Sequence, residues 1–315
     1  MDIAPRPGLI HPAEPGTPYH RLGRTAGHRW WQPLVGTAVV LGGAVTAIVA
    51  LLSGSVVVAF ATGTRTWVDG LPTASPLVEL AVTLASLGLI TPFVLAAARG
   101  VQARPAGTVS SVLGRLRWGW LGRCLLLAVP TVGLMIAGIA ALLVATGEPL
   151  DDGLSVWVGL GPFLASAALL LVLVPFQAAA EEYVCRGWLL QAVGSFLRTP
   201  WLPIAVQAVV FGAAHGWGTW WGFADLVVFG VVLGWLTIRT GGLEAAIALH
   251  VVNNLVAMGL AAAFGALDST ETAADAPWQM FVVDVPVFVG FALVVSWLAR
   301  RRRIDAVSPD PKMIR

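Results

Sequence analysis

Long, mostly apolar runs with few charged residues divide this sequence, and they constrain its fold more than any other feature. A helix that crosses a bilayer needs about 20 mostly apolar residues, and the chain contains eight runs of this kind. They lie at roughly 34–60, 79–98, 121–146, 157–180, 201–217, 222–239, 244–265 and 277–299. Only 11% of all residues are charged, whereas a soluble domain carries about 25%. We therefore expect an all-α fold, a polytopic membrane helix bundle of about eight transmembrane helices.

The division between the fifth and sixth runs is the weakest, because the stretch HGWGTWWGF between them is itself apolar. Only its glycines indicate a turn there. Seven spans therefore remain an alternative to eight.

Arginines are concentrated at both ends of the chain and in alternate loops, whereas the other loops contain acidic residues, with Arg65 as the exception. The arginines are Arg6, Arg21, Arg24, Arg29, Arg99, Arg104, Arg115, Arg117, Arg198, Arg239 and Arg300 to Arg303, and the acids are Glu148, Asp151, Asp152, Asp268, Glu271 and Asp275. Because basic loops stay on the cytoplasmic side, both termini of this multi-pass protein are predicted to be cytoplasmic. The absence of a transit peptide favours a prokaryotic plasma membrane. Basic residues at span ends, with a net charge of only +2, indicate topology and no nucleic-acid partner.

Ionisable side chains also interrupt the apolar runs, where they are costly and mark a functional site by default. Glu181 and Glu182 end the fourth run, in EEYVCR. Glu182 and Arg186 are four residues apart, so on a helix they share a face and can pair, whereas Glu181 points away without that partner. Taken alone, EEYVCR is equally typical of a helix end at a basic membrane surface.

Two further spans contain polar side chains of the same kind. His215 ends FGAAH in the fifth span, and His250 and Asn254 lie one turn apart in HVVNN of the seventh. A single histidine in an apolar helix is more often a hydrogen-bonded core residue than a catalyst, but two of them with an Asn and a Glu favour one site. We expect this site to be enclosed by helices four, five and seven. At a rise of 1.5 Å per residue, Glu181 and His215 lie roughly 20 Å from the cytoplasmic ends of their helices. His250 lies only about 12 Å from the cytoplasmic end of helix seven. Helix seven must therefore tilt or begin deeper for His250 to reach the same site.

This set of residues is sufficient for amide hydrolysis without a Ser or Cys nucleophile. A carboxylate beside a neutral histidine can hold a water molecule and take its proton. A second histidine and an Asn carboxamide can donate hydrogen bonds to the oxyanion of an attacked carbonyl. Glu181, His215 and His250 can also serve as zinc ligands with an open fourth position, and the residues leave a zinc-dependent and a metal-free mechanism equally open.

At these residues the sequence resembles the CPBP intramembrane metalloprotease family, which includes type 2 CAAX prenyl proteases and bacteriocin-processing, Abi-like relatives. The family motifs are E-E-x-x-x-R, F-x-x-x-H and H-x-x-x-N. They stand here, in order, as Glu181-Glu182…Arg186, Phe211…His215 and His250…Asn254. The resemblance covers about residues 155–265, and the helices before it contain no matching motif.

The resemblance implies roles for these residues. Glu181 and His215 activate the water, His250 and Asn254 stabilise the oxyanion, and Glu182, Arg186 and Phe211 support the site. The predicted organisation is a disordered cytoplasmic tail (1–30), N-terminal transmembrane helices (31–154), a protease core (155–265), a last loop and helix (266–303) and a cytoplasmic tail (304–315).

The leading hypothesis is an intramembrane endopeptidase that cuts a peptide or protein substrate within the lipid bilayer, near its cytoplasmic face. A non-catalytic bacteriocin-immunity or scaffold membrane protein is one alternative, although a scaffold has no need for the complete set of site residues. A proton-coupled transporter is another, since Glu and His inside spans also form relays. The sequence contains no matching inverted halves, which many such transporters have.

Overall fold

The helices of this protein follow the apolar runs closely. The computed structural model describes residues 10–63, 66–68, 71–73, 75–149, 156–267 and 272–310. Apart from an antiparallel hairpin of β1 (Thr66–Val68) and β2 (Leu71–Thr73), the regular structure there is helical, which confirms the predicted helix bundle. The α-helices are α1 (Gln32–Ala61), α2 (Pro76–Gly88), α3 (Ile90–Ala96), α4 (Trp118–Thr146), α5 (Leu160–Glu182), α6 (Leu190–Gly194), α7 (Trp201–Ala214), α8 (Trp220–Thr240), α9 (Glu244–Ala263) and α10 (Trp278–Arg301).

Seven helical segments in the described ranges are long and apolar enough to cross a membrane. They are Gln32–Ala61, Pro76–Val101, Trp118–Thr146, Leu160–Gly194, Trp220–Thr240, Glu244–Ala263 and Trp278–Arg301. The fifth predicted span becomes the shorter helix α7, whose 14 residues reach about 21 Å, less than the hydrocarbon core of about 30 Å. This helix ends before His215 because the next residue, Gly216, adopts a φ of +98°, which a helix does not continue.

Large apolar side chains are exposed on the outer helices. Leu41, Val45 and Phe60 on α1 and Leu126 and Leu134 on α4 are all more than half exposed. An apolar surface of this extent is unusual on a soluble protein and is suited to contact with lipid.

Helix α9 lies at the centre of the bundle. Residues 241–252 are all buried, and α9 packs against α4, α5 and α8. Its first residue, Glu244, is completely buried and accepts two hydrogen bonds from the Arg117 guanidinium, at 2.9 Å from Nε and 2.6 Å from Nη2. A bidentate pair of this kind fixes orientation as well as distance, so α9 is held against the start of α4.

The loop before α9 is also fixed. Gly241 ends α8 with a φ of +69°, a left-handed conformation that suits glycine. Its carbonyl accepts from the amide of Val112, and the amide of Leu243 donates to Ser110. The chain therefore enters α9 from a buried loop.

The segments at the two ends of the described chain pack together, which contradicts the predicted disorder of residues 10–30. Tyr19 is buried, and its hydroxyl donates to the carbonyl of Val109. The amide of Thr17 donates to Oγ of Ser308 at 2.8 Å, so part of the predicted tail at 304–315 is ordered too. The N-terminal segment is rich in Pro, Gly and Arg, and this composition led to the prediction of disorder. It also contains Tyr19 and Leu22, which pack into the hydrophobic core.

Parts of several predictions lie outside the described residues. These parts are residues 1–9 and 311–315 of the tails, and Arg65, Asp151, Asp152, Asp268 and Glu271 of the loops. The other predicted domain boundaries stay predictions.

Candidate active site

Glu182 lies at the centre of the site, at the end of α5. It is 0% exposed, and its Oε1 accepts from Nη1 of Arg186 at 2.9 Å. The same oxygen lies 2.7 Å from Nδ1 of His250 on α9. The pair with Arg186 is the one that the four-residue spacing predicts, whereas the bond to His250 was not expected.

The helix changes its winding directly after Glu182. Residues Tyr183–Leu189 form a π-helical turn, which joins α5 to α6. Such turns are rare and occur often at functional sites. Here the turn carries Arg186 and keeps it facing the carboxylate that precedes it.

Phe211 accounts for the burial of the Arg186 cation. The guanidinium carbon lies 4.3 Å from the centroid of the Phe211 ring and 5.6 Å from that of Phe229. Its Nε and Nη2 atoms make no hydrogen bond to any described residue, so the aromatic faces replace part of the lost solvation. The rings of His215 and His250 also flank Phe211, with centroids 4.6 Å and 5.8 Å away.

Glu181 has partners that the sequence did not suggest. Its side chain is 20% exposed, and Oε2 lies 3.4 Å from Nε2 of His250. Its other oxygen accepts a short hydrogen bond from Nε2 of Gln177, one turn earlier on α5. Glu181 therefore does not stand alone in the site.

Two carboxylates thus flank one imidazole, with Glu182 at Nδ1 and Glu181 at Nε2 of His250. Carboxylate oxygens accept hydrogen bonds, so the ring is held between two acceptors from adjacent residues of α5.

Gln177 connects the two halves of the predicted site. It is buried, its amide nitrogen donates to Glu181, and its oxygen accepts from Nδ2 of Asn254 at 3.2 Å. Asn253 donates in turn to the oxygen of Asn254 at 3.4 Å. Gln177 was missed in the sequence, although an amide inside an apolar run, four residues before a candidate base, has the spacing of a same-face partner.

His215 lies at the end of α7 and is half-buried. Its Nδ1 is 2.9 Å from the carbonyl oxygen of Phe211, an arrangement that places the proton on Nδ1 and leaves Nε2 as an acceptor. Among the described residues, Glu181 contacts Gln177 and His250 through hydrogen bonds or ion pairs, and His215 is not one of these partners. The predicted cooperation of Glu181 with His215 stays a prediction.

The predicted zinc ligands, Glu181, His215 and His250, are not arranged as a zinc site. In the described part of the chain no three His, Cys, Asp or Glu side chains are placed to hold a metal ion. Nε2 of His250 and Oε2 of Glu181 lie 3.4 Å apart, a separation that two ligands of one tetrahedral zinc can have. The described residues do not bring His215 or another side chain to them as a third ligand, so as they lie they do not make up a zinc site.

Comparison with known proteins agrees with the motifs. Residues 163–256 match the family model of type II CAAX prenyl endopeptidases, Rce1-like. Residues 163–256 are thus similar to this family, and we refer to this matched segment as the Rce1-like domain. This match confirms the resemblance to the CPBP family, and the matched residues run from α5 to α9 and include every predicted site residue. At the level of the family, the Rce1-like domain supports a CAAX-type endopeptidase with a peptide or protein substrate.

A relative with a similar sequence is known from a bacterium. The uncharacterized protein YyaK of Bacillus subtilis (strain 168) is 27% identical over 248 residues, which cover 73% of this chain and 79% of that protein. The similarity therefore extends well beyond the Rce1-like domain. No solved structure matches the chain.

Proposed function

We propose that this protein is an intramembrane endopeptidase that hydrolyses a peptide bond with a water molecule activated by Glu181 and His215. The cleavage takes place near the cytoplasmic face of a prokaryotic plasma membrane, where both termini lie. The Rce1-like domain supports the class of reaction. The contacts of the two adjacent glutamates support the division of roles.

The difference in exposure between these glutamates carries the proposal. Glu182 is fully buried, and its Oε1 is engaged by both Arg186 and His250. Glu181 is 20% exposed and is not paired with an arginine, whereas Oε2 of both glutamates is buried without a hydrogen-bond partner among the described residues. A general base must lie within hydrogen-bond reach of the proton that it removes, and of the two glutamates Glu181 is the one with an exposed part.

The reaction then needs no covalent intermediate. Glu181 takes one proton from the water molecule while the oxygen of this water forms a bond to the carbonyl carbon of the substrate. Nε2 of His215 accepts a hydrogen bond from the other O–H of the same water. As the tetrahedral intermediate collapses, the C–N bond breaks. The proton on Glu181 passes to the leaving amine, so the carboxylate is regenerated.

His250 and Asn254 stabilise the charge that develops on the carbonyl oxygen. Glu182 fixes the ring of His250 through Nδ1, so a proton on Nε2 points toward the side of the site where Glu181 lies. Donors held in place before the reaction cost no reorganisation when the charge forms. Gln177 holds Asn254 in the same way.

The experiment is a cleavage assay on the purified protein in liposomes, with prenylated and unprenylated peptides that end in a CAAX sequence. Glu181→Gln keeps the shape of the side chain and removes the base, so kcat should fall by about 10²–10⁴-fold. Glu148→Gln, at an exposed position after α4, is the matched control and should leave the rate unchanged. Cleavage by the wild-type protein should persist with a zinc chelator. Full activity of Glu181→Gln would exclude the proposed base, and no cleavage of any peptide by the wild-type protein would favour a non-catalytic role.

A further inference from the structure

A large apolar cavity opens between α2, α4, α5 and α9. Its volume is about 1020 Å³, at the upper end of the range for small-molecule sites. The lining is almost wholly apolar, and it includes Leu84, Leu121, Leu125, Leu173, Phe176 and Leu255. In a membrane, a cavity with this lining is suited to hydrocarbon chains.

A second cavity of about 450 Å³ adjoins it, and its chemistry is different. Four arginines line this smaller cavity, Arg115, Arg117, Arg123 and Arg303, with Asp305 as the one acid among its lining residues. Arg117 is already paired with Glu244. The remaining three cations outnumber the single carboxylate, so the cavity favours an anion.

Leu116 and Trp118 line both cavities, which therefore lie next to each other at these two residues. Trp118 is the first residue of α4 and is 73% exposed, as is typical of an aromatic anchor at the membrane surface. Leu125 lies seven residues further along α4, about 10 Å deeper. The arginine-lined cavity is thus at the level of lipid headgroups and the apolar cavity extends into the hydrocarbon region.

We propose that the two cavities form one site for an anionic phospholipid. The phosphate binds Arg115, Arg123 and Arg303, and the acyl chains occupy the apolar cavity between α4 and α5. Two observations select this occupant over a neutral lipid or a free anion: the charge of the smaller cavity, and its position beside a much larger apolar volume. The site is independent of the proposed peptide hydrolysis, although Ala179 and Val251 in its wall are close in sequence to Glu181 and His250.

The test is lipid retention by the full-length protein in detergent, measured by native mass spectrometry after addition of phosphatidylglycerol or phosphatidylcholine with identical acyl chains. The wild-type protein should retain phosphatidylglycerol in clear preference. The double variant Arg115→Gln/Arg123→Gln should lower that retention by roughly 10–30-fold, since each arginine contributes to binding an anionic headgroup, and should leave phosphatidylcholine retention unchanged. The control variant Arg198→Gln/Arg239→Gln removes two exposed arginines outside the site. It should change the retention of neither phosphatidylglycerol nor phosphatidylcholine.

Two further measurements separate the parts of the site. Ala85→Phe narrows the apolar cavity from α2 and should reduce retention of both lipids, while its thermal unfolding temperature shows that the protein still folds. Inorganic phosphate should not displace phosphatidylglycerol, because it lacks the acyl chains. Equal retention of the two lipids by the wild-type protein, no effect of the double variant, or full displacement by phosphate would each overturn the proposal. None of these results depends on peptide cleavage.

Discussion

Glu182 and His250 are joined by a contact of 2.7 Å between Oε1 and Nδ1, and this contact connects α5 to α9 in the interior of the bundle. It fixes the imidazole ring, so that the opposite nitrogen faces Glu181 at 3.4 Å. The buried glutamate thereby sets the position of a residue that the proposed reaction uses.

Replacement of Glu182 tests this structural role. Glu182→Gln leaves the buried Arg186 cation without its counter-ion, at a cost of about 3–5 kcal/mol in unfolding free energy. We expect a lower temperature of thermal unfolding in detergent, whereas Glu181→Gln should unfold at nearly the wild-type temperature. If Glu182→Gln were as stable as the wild-type protein but inactive, and Glu181→Gln active, the roles of the two glutamates would be reversed.

Asn254 is expected to act mainly in the transition state. Asn254→Ala should lower kcat by about 10²–10³-fold, as is typical when one oxyanion donor is lost, and should change KM little because such a contact strengthens only as charge develops. Asn254→Asp should be no better, since it places a negative charge beside the oxyanion. The measurement is the cleavage rate per folded molecule, and an unchanged rate for Asn254→Ala would remove this residue from the site.

Gln177 is expected to position both Glu181 and Asn254. Gln177→Leu has nearly the same size and loses both hydrogen bonds, so we expect kcat to fall by about 10–100-fold through misplacement of the two groups. The effect should be smaller when Asn254→Ala is already present, because only the loss of the bond to Glu181 then remains. Gln191→Leu is the matched control, because Gln191 is buried and bonded to the carbonyl of Thr108. It should alter stability but not kcat, and independent, additive effects of Gln177→Leu and Asn254→Ala would contradict the positioning role.

Membrane topology can be tested with reporters fused at three positions. Reporters after residues 150 and 272 should lie outside the cytoplasm, and one after residue 310 should lie inside, as the alternating charges predict. Helix α7 has only 14 residues, so its crossing is the critical point. A reporter after residue 310 on the same side as the one after residue 150 would show that α7 does not cross.

The helix bundle could be predicted from the apolar runs, and the candidate site residues were selected because polar groups are costly in a membrane and stand out against such runs. The contacts between site residues on different helices could not be predicted. Whether His250 meets Glu181, Glu182 or His215 depends on the rotation and depth of α9 relative to α5, and one sequence contains no measure of either. The shallow position calculated for His250 does not keep it from the site, because its ring contacts both glutamates of α5.

Partners that lie within one helix were easier to anticipate. The spacing of Glu182 and Arg186 sufficed for their ion pair, and the same reasoning applied to Gln177 and Glu181 would have identified the glutamine. The disorder predicted for residues 10–30 was wrong for a different reason. Composition averages over a segment, whereas two inserted side chains, Tyr19 and Leu22, are enough to hold it.

The π-helical turn at Tyr183–Leu189 makes the length of this segment more critical than most of its individual side chains. A π-helical turn accommodates one residue more than α-helical winding does, so deletion of one residue there would be absorbed by a return to α-helical winding, and the helix after the turn would keep its orientation. The residues inside the turn would change face, so Arg186 would move away from Glu182 and Trp188 would lose the hydroxyl of Thr37. Natural variants that keep the pair of Glu182 and Arg186 should therefore keep the length of this stretch, with insertions and deletions confined to the loops between helices.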